Sequence, residues 1–117
     1  MNSTAEILQF RAKEQREERR VADTEDGYFR LANMLLEEYA GADLTKRQFK
    51  VLLAVLRLTY GWNKKMDRIS DSQISEIARL PVKRCNEAKL QLVEMNVLLQ
   101  QGRQFGPNKN VSLFQRQ

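Results

Sequence analysis

Lys83, Arg84, Asn86, Glu87 and Gln91 crowd into the segment LPVKRCNEAKLQL, residues 80–92. Each has a side chain that can hydrogen-bond to the edge of a nucleobase. Arg or Lys donates to guanine O6 and N7, Asn or Gln pairs with adenine through two bonds, and Glu accepts from cytosine N4. Placed on a helical wheel, 82–96 puts Cys85, Ala88, Leu92 and Met95 on one side, with Val82 and Val93 at its margin. Lys83, Arg84, Asn86, Glu87, Leu90, Gln91 and Glu94 fall on the other. A helix with such a face is suited to the major groove, which a recognition helix enters with its N-terminal residues on the bases. The positive end of its dipole favours nearby phosphate. Cys85, on the apolar side, is expected to be a small core residue rather than a nucleophile.

For this face to read bases, its neighbours must hold it out. Pro81 suits the first turn of a helix, where no backbone donor is needed, and it ends helical geometry at the residue before it. Residues 71–79 and 82–96 are therefore expected to be two helices joined by a tight turn, the spacing of a helix-turn-helix. Ser70 with Gln73 forms a capping box at the start of DSQISEIARL, whose Ile74, Ile77 and Ala78 should face inward. After Asn96, VLLQQ reads as a strand, GRQFGPNKN as a turn-rich loop and VSLFQ as a returning strand. A helix-turn-helix followed by a hairpin is a winged helix. The expected fold is thus mainly α with a small β-hairpin, a winged helix-turn-helix with recognition helix 82–96 and wing 102–110.

The wing brings Arg103, Gln104, Asn108, Lys109 and Asn110 around its tip. Such a tip can lie along a minor groove. Lys64, Lys65, Arg68, Ser72 and Gln73 are candidates for phosphate contacts, which fix register without reading sequence. Tyr60 and Trp62 beside Lys64 could stack on bases, but their place at the end of an apolar helix points to the core.

Upstream, YFRLANMLLEEYA (28–40) reads as a helix with Tyr28, Leu31, Leu35 and Tyr39 near helical spacing and Gly41 as its stop. Thr45 and Gln48 make a second capping box, opening a helix that runs through FKVLLAVLRLTY to Gly61. That helix is apolar on two faces. Phe49, Leu52, Leu53, Leu56 and Tyr60 form one stripe, and Val51, Val55 and Leu58 the other. It is a central core helix or it packs a second subunit. In the second case a charge at Val55 should yield monomers; in the first it should unfold the chain. Residues 1–27 contain RAKEQREERR and little to bury, so they read as a charged, flexible arm in front of a domain spanning 28–117.

The 117 residues suffice for one domain with a modest core. No apolar run approaches the roughly eighteen residues of a membrane span, and MNSTAEILQF lacks a signal-peptide layout. The absence of histidine and the single cysteine exclude zinc fingers, His-based triads and an internal disulfide. No phosphate-binding glycine motif is present. No cofactor, metal site or catalytic constellation is expected, and the chain does not read as an enzyme. Net charge is +5, but residues 1–43 carry −4 and residues 44–117 carry +9. A basic second half implies a polyanionic partner. A winged helix used only for protein contacts fits that charge less well.

The segments DGYFRLANMLLEEY, GADLTKRQFKVLLAVLRLTYGWNKKMDRISDSQ, LPVKRCNEAKLQLVEMNV and FGPNKNVS together resemble the N-terminal part of the bacteriophage replication protein O family, the lambdoid origin-binding initiators. The resemblance runs from about residue 21 to 112. It implies a homodimer that binds double-stranded DNA at repeated sites (iterons) of a phage replication origin, in the cytoplasm of the infected bacterium. It also implies contacts with the helicase loader P and the host DnaB helicase through a C-terminal region beyond this chain, which would then be a DNA-binding fragment. Read from the residues alone, a transcriptional repressor binding an operator would need the same helix and wing.

Overall fold

The computed structural model describes residues 20–115. Most of the expected arm, residues 1–19, lies outside the described residues; residues 20–27 are exposed and contain a 3-10 turn, Thr24–Asp26, capped by Asp23. Four helices follow, α1 (Asn33–Gly41), α2 (Lys46–Thr59), α3 (Asp71–Ala78) and α4 (Val82–Glu94). Strand β1 (Asp67–Arg68) lies between α2 and α3, and β2 (Leu98–Gln101) and β3 (Gln104–Pro107) follow α4. The three strands form one antiparallel sheet in the order β1-β3-β2. The fold is mainly helical with a small sheet, one strand larger than the expected hairpin.

Both capping boxes form. Thr45 accepts from the Gln48 backbone while the Gln48 side chain accepts from Thr45 N at 2.9 Å. Ser70 and Gln73 repeat the arrangement at α3. Each satisfies two backbone donors that a helix start leaves without partners, so α2 and α3 begin where the sequence places them. Between α3 and α4, Arg79 turns the chain at φ 56° and Pro81 caps α4. Asn96, at φ 62°, turns the chain out of α4, as asparagine tolerates.

Three expected elements differ. The first helix begins at Asn33, not residue 28, because Phe29 and Leu31 pack against the core while Tyr28 and Arg30 stay exposed. Burial at every second residue is the signature of extended chain. The returning strand is Gln104–Pro107 and not VSLFQ, which contains a 3-10 turn at Val111–Leu113. The hairpin closes in two residues, Gly102 and Arg103. Gly102 has φ 60° and Arg103 does not have a positive φ, the pattern of a type II′ turn. The stretch read as a wing loop, 102–110, is therefore a tight turn, a strand and a tail. Finally, α4 ends at Glu94, with Met95 as its cap.

Helix α2 is the centre of the core. Val51, Leu52, Ala54, Val55 and Leu56 are each 1% exposed or less. The face of Val51, Val55 and Leu58 is covered within one chain, so the second face that suggested a subunit contact at Val55 belongs to the core. Other positions also depart from expectation. Ile77 and Val82 are exposed, as is Leu53. Trp62, expected in the core, is 63% exposed, with the Arg57 guanidinium 5.5 Å from its ring centre. The tail returns over the domain: Gln115 N donates to Met95 O, and Phe114 stacks on the buried Tyr39 ring.

Close approach decides the sheet. At Gly106, an added Cβ would lie 2.1 Å from the Lys65 carbonyl oxygen. Only glycine lets the segment leading into β1 pass so near β3.

Two outcomes follow from this packing. Val55→Asp should destabilise the fold by on the order of 3–5 kcal/mol, the penalty of an unpaired buried charge, which is much of a small domain's stability. Urea unfolding followed by circular dichroism measures it; a folded monomer of unchanged stability would contradict the burial. Cys85 is buried, and burial first, with the charge of Asp71 second, pushes its thiol above the ordinary value. It should resist aqueous thiol reagents at neutral pH until the chain unfolds, and rapid labelling of the native protein would contradict this.

Candidate nucleic-acid interface

The face of α4 that could meet a ligand is set by what holds its other side. Cys85, Ala88 and Leu92 are buried, and so is Lys89 at 6% exposure. Lys89 Nζ lies 2.7 Å from Asp71 Oδ1 at the start of α3 and 4.2 Å from the centre of the Phe105 ring on β3. One cation thus joins three elements. A signal for it was present in the wheel, since Lys89 falls one turn after Cys85 on the apolar side. A buried cation on an apolar face requires a carboxylate or an aromatic face.

The predicted base readers divide into two groups. Lys83 is exposed and points outward, and Asn86 lies one turn before Lys89 on the flank facing α3 and the sheet. Arg84 and Gln91 lie on the opposite flank, where they line a shallow cleft with Thr45, Lys46 and Arg47 at the start of α2. Arg84 Nη1 is bound by Glu87 at 3.0 and 3.4 Å within α4. Gln91 Oε1 accepts from Nε2 of the buried Gln48 at 2.9 Å. Gln48 in turn belongs to the α2 capping box. Gln91 is therefore a strut between α4 and α2, and one acceptor site of its carbonyl is taken by Gln48.

The predicted phosphate contacts also divide. Arg68 is the register partner of Gln104, and Gln101 is its partner on the other side. Arg103 is exposed in the adjoining turn, where Gln100 Nε2 donates to Gly102 O at 3.0 Å. These residues gather at the tip of the sheet. Ser72 and Gln73 are exposed at the start of α3. The Gln73 carbonyl serves the cap. At the other end of the sheet, Lys64, Lys65 and Lys109 border a cavity of about 920 Å³ together with Arg30, Tyr28 and Tyr60. Burial raises the Tyr60 hydroxyl above its ordinary pKa, and that hydroxyl has no hydrogen-bond partner among the described residues.

One of these residues carries an exposed ion pair, and the assignment of another needs correction. Lys64 is paired with Asp67 at 3.3 Å. Asp67 also accepts from Arg68 N, and that backbone bond, with Lys64 next, holds its carboxyl below the ordinary range. Asn108 is buried at 4% exposure. Its Nδ2 donates to Asn96 O at 2.7 Å and its Oδ1 accepts from Asn110 N. Asn108 fastens the tail to the end of α4 and offers nothing to a groove. Asn110 remains exposed, with its side chain accepting from Ser112 Oγ.

Among the described residues no group of acidic, histidine or cysteine side chains is placed to hold a metal ion. No described helix is long and apolar enough to cross a membrane.

Comparison with known proteins adds a separate line. Residues 20–114 match the family described as bacteriophage replication protein O. The chain is 71% identical to "Replication protein O" of Escherichia phage lambda over 113 residues, covering 96% of this chain and 34% of that protein. It is 47% identical to "DNA replication protein gp18" of Salmonella phage P22, covering 81% of this chain and 35% of the relative. It is 35% identical to "Replication protein 15" of Enterobacteria phage phi80, covering 86% and 33%. The chain thus spans about a third of the length of these curated relatives. No solved structure matches it.

The Lys89 site yields a test of its own. Asp71→Asn leaves the Lys89 charge buried without its carboxylate and should cost on the order of 3–5 kcal/mol. Lys89→Met removes that charge and keeps an apolar chain against Phe105, so it should cost clearly less. Denaturant unfolding of both variants decides; equal or reversed effects would mean that the cation is not buried in solution.

Proposed function

The chain belongs to the bacteriophage replication protein O family, and from that premise we propose that it binds double-stranded DNA sequence-specifically at repeated sites of a phage replication origin, as a step in initiating replication. The observation that carries the reading is the order of elements around α2. Helix, short strand, helix, tight turn, polar-faced helix and hairpin follow one another as in a winged helix-turn-helix. In this reading α4 enters the major groove with its N-terminal turns on the bases, and the Gly102–Arg103 turn lies on the minor groove or the backbone.

Within that frame the side chains take distinct roles. Lys83, Asn86 and Glu87 are the base readers, and Arg84 acts with Glu87 as a bound pair. Arg68, Ser72, Gln73, Arg103 and Gln104 hold phosphates beside them. Lys64, Lys65 and Lys109 extend the positive surface along the far end of the sheet, with the polar Asn110 next to Lys109. The charge of residues 44–117, +9, supports a polyanionic partner.

The same reading includes a homodimer, which would place two recognition helices on half-sites about one helical turn apart. Its contact surface is not Val55, which is buried; Met34 and Leu36, exposed on α1, and Leu53, exposed on α2, are among the apolar positions open to a second copy. It also includes the helicase loader P and the host DnaB helicase as partners, through regions of the relatives that this chain does not span. The site of action is the cytoplasm of the infected cell, and the role is binding rather than catalysis.

Selection from a random duplex pool, followed by fluorescence anisotropy on the enriched duplex and on scrambled DNA across salt, tests this. A two-fold-symmetric motif bound about a thousandfold or more tighter than scrambled DNA is expected, and its occurrence as tandem copies in an origin separates an initiator from a repressor. Asn86→Ala should cost about 1–3 kcal/mol on the selected site and little on scrambled DNA. Arg103→Ala should weaken both alike and reduce the salt slope by about one unit. No enriched motif, with binding that vanishes as salt rises, would overturn the reading.

A further inference from the structure

Helix α4 presents fewer free polar groups than its sequence suggests. Lys89 is held by Asp71, Arg84 by Glu87, and Gln91 by Gln48. On the outward side, among Lys83, Asn86, Glu87 and Glu94, stands one apolar residue. Leu90 is 43% exposed, one turn after Asn86 and two turns after Lys83. A single exposed leucine on a protein surface is ordinary. This one lies in the row that, in the reading above, faces the bases, and among side chains that are otherwise polar or charged.

An isobutyl group cannot hydrogen-bond to a phosphate or to a polar base edge. The major groove offers it one apolar counterpart, the C5-methyl group of thymine. Pressing the two together removes both from water, and the gain scales with the apolar area covered. Protein partners fit less well here, because the surround, with Asn86 and Glu87 one turn before and Glu94 one turn after, is polar rather than an apolar patch of interface size.

We infer that Leu90 is a specificity-determining residue that reads thymine in the bound duplex by contact with its C5-methyl group. The inference rests on the proposed major-groove role of α4. It assigns to Leu90 the A·T preference at one position of each half-site, while Lys83, Asn86 and Glu87 read by hydrogen bonding.

Deoxyuridine differs from thymidine only by lacking that methyl and pairs identically with adenine. Each thymine of the selected duplex is therefore replaced singly by deoxyuridine, and affinities are measured for the 117-residue chain and for Leu90→Ala and Leu90→Met. At one position per half-site the unaltered chain should lose about fourfold on removal of the methyl, the size expected for one buried methyl-sized group. Leu90→Ala should bind the thymine duplex more weakly and lose its thymine-over-uracil preference at that position alone. Leu90→Met, which keeps an apolar chain, should retain part of the preference. Leu90 is exposed, so both variants should unfold at the denaturant concentration of the unaltered chain. If the chain prefers its selected duplex but no position responds to the methyl, or Leu90→Ala keeps the same ratio everywhere, this inference fails and the major-groove reading stands. If the chain shows no preference for any selected duplex, both fall.

Discussion

A single buried cation organises this domain. Lys89 reaches from α4 to Asp71 at the start of α3 and lies over the Phe105 ring of β3. Such a pair adds little net stability, because the desolvation of both charges offsets their attraction. Its effect is on geometry. An ammonium group with 7% side-chain exposure must have its carboxylate within reach. Arrangements of α3 and α4 that separate Lys89 from Asp71 are therefore excluded by several kcal/mol. The helix pair and the sheet are fixed relative to each other by the same contact.

The rest of the architecture serves that arrangement. Small residues on α4, Cys85 and Ala88, belong to the same core as the apolar faces of α2. Gln48 joins the two helices at their outer edge through Gln91, using the same amide that caps α2. Behind β3, Gly106 admits the Lys65 backbone, so β1 can pair and present Arg68 beside the hairpin tip. Asn108 then ties the tail to the end of α4. A polar face on α4 is thereby held rigid, with a tight, basic turn beside it. In the proposed role rigidity matters, because contacts to bases discriminate only when the side chains are held in place before binding.

Much of this was legible in the residues. The two capping boxes marked the starts of α2 and α3, because a side-chain oxygen three residues before its partner amide is a local and sufficient device. Pro81 marked the break before α4 for an equally local reason. The apolar side of α4 was readable from its period. The strand exchange, Gln104–Pro107 in place of VSLFQ, was missed because a two-residue turn at Gly102 competes with the longer Gly/Pro-rich loop, and short alternation does not distinguish them. Ile77, Val82 and Trp62 were expected inside and lie outside, since each has apolar character without a neighbouring element to cover it.

The sequence by itself determined the starts of α2, α3 and α4, the apolar side of the second helix of the turn, the uneven distribution of charge and the family. All of these depend on residue type and near spacing along the chain. Only the tertiary structure decided which polar side chains of α4 are free. Lys89 is committed to a residue in another helix, and Gln91 is committed to one forty-three positions away. It also separated Arg68 and Arg103 from Lys64, Lys65 and Lys109, and showed that Val55 is core. These outcomes turn on partners distant in sequence, and a hydrogen bond or an ion pair is settled by a few tenths of an ångström in space, which no local pattern encodes.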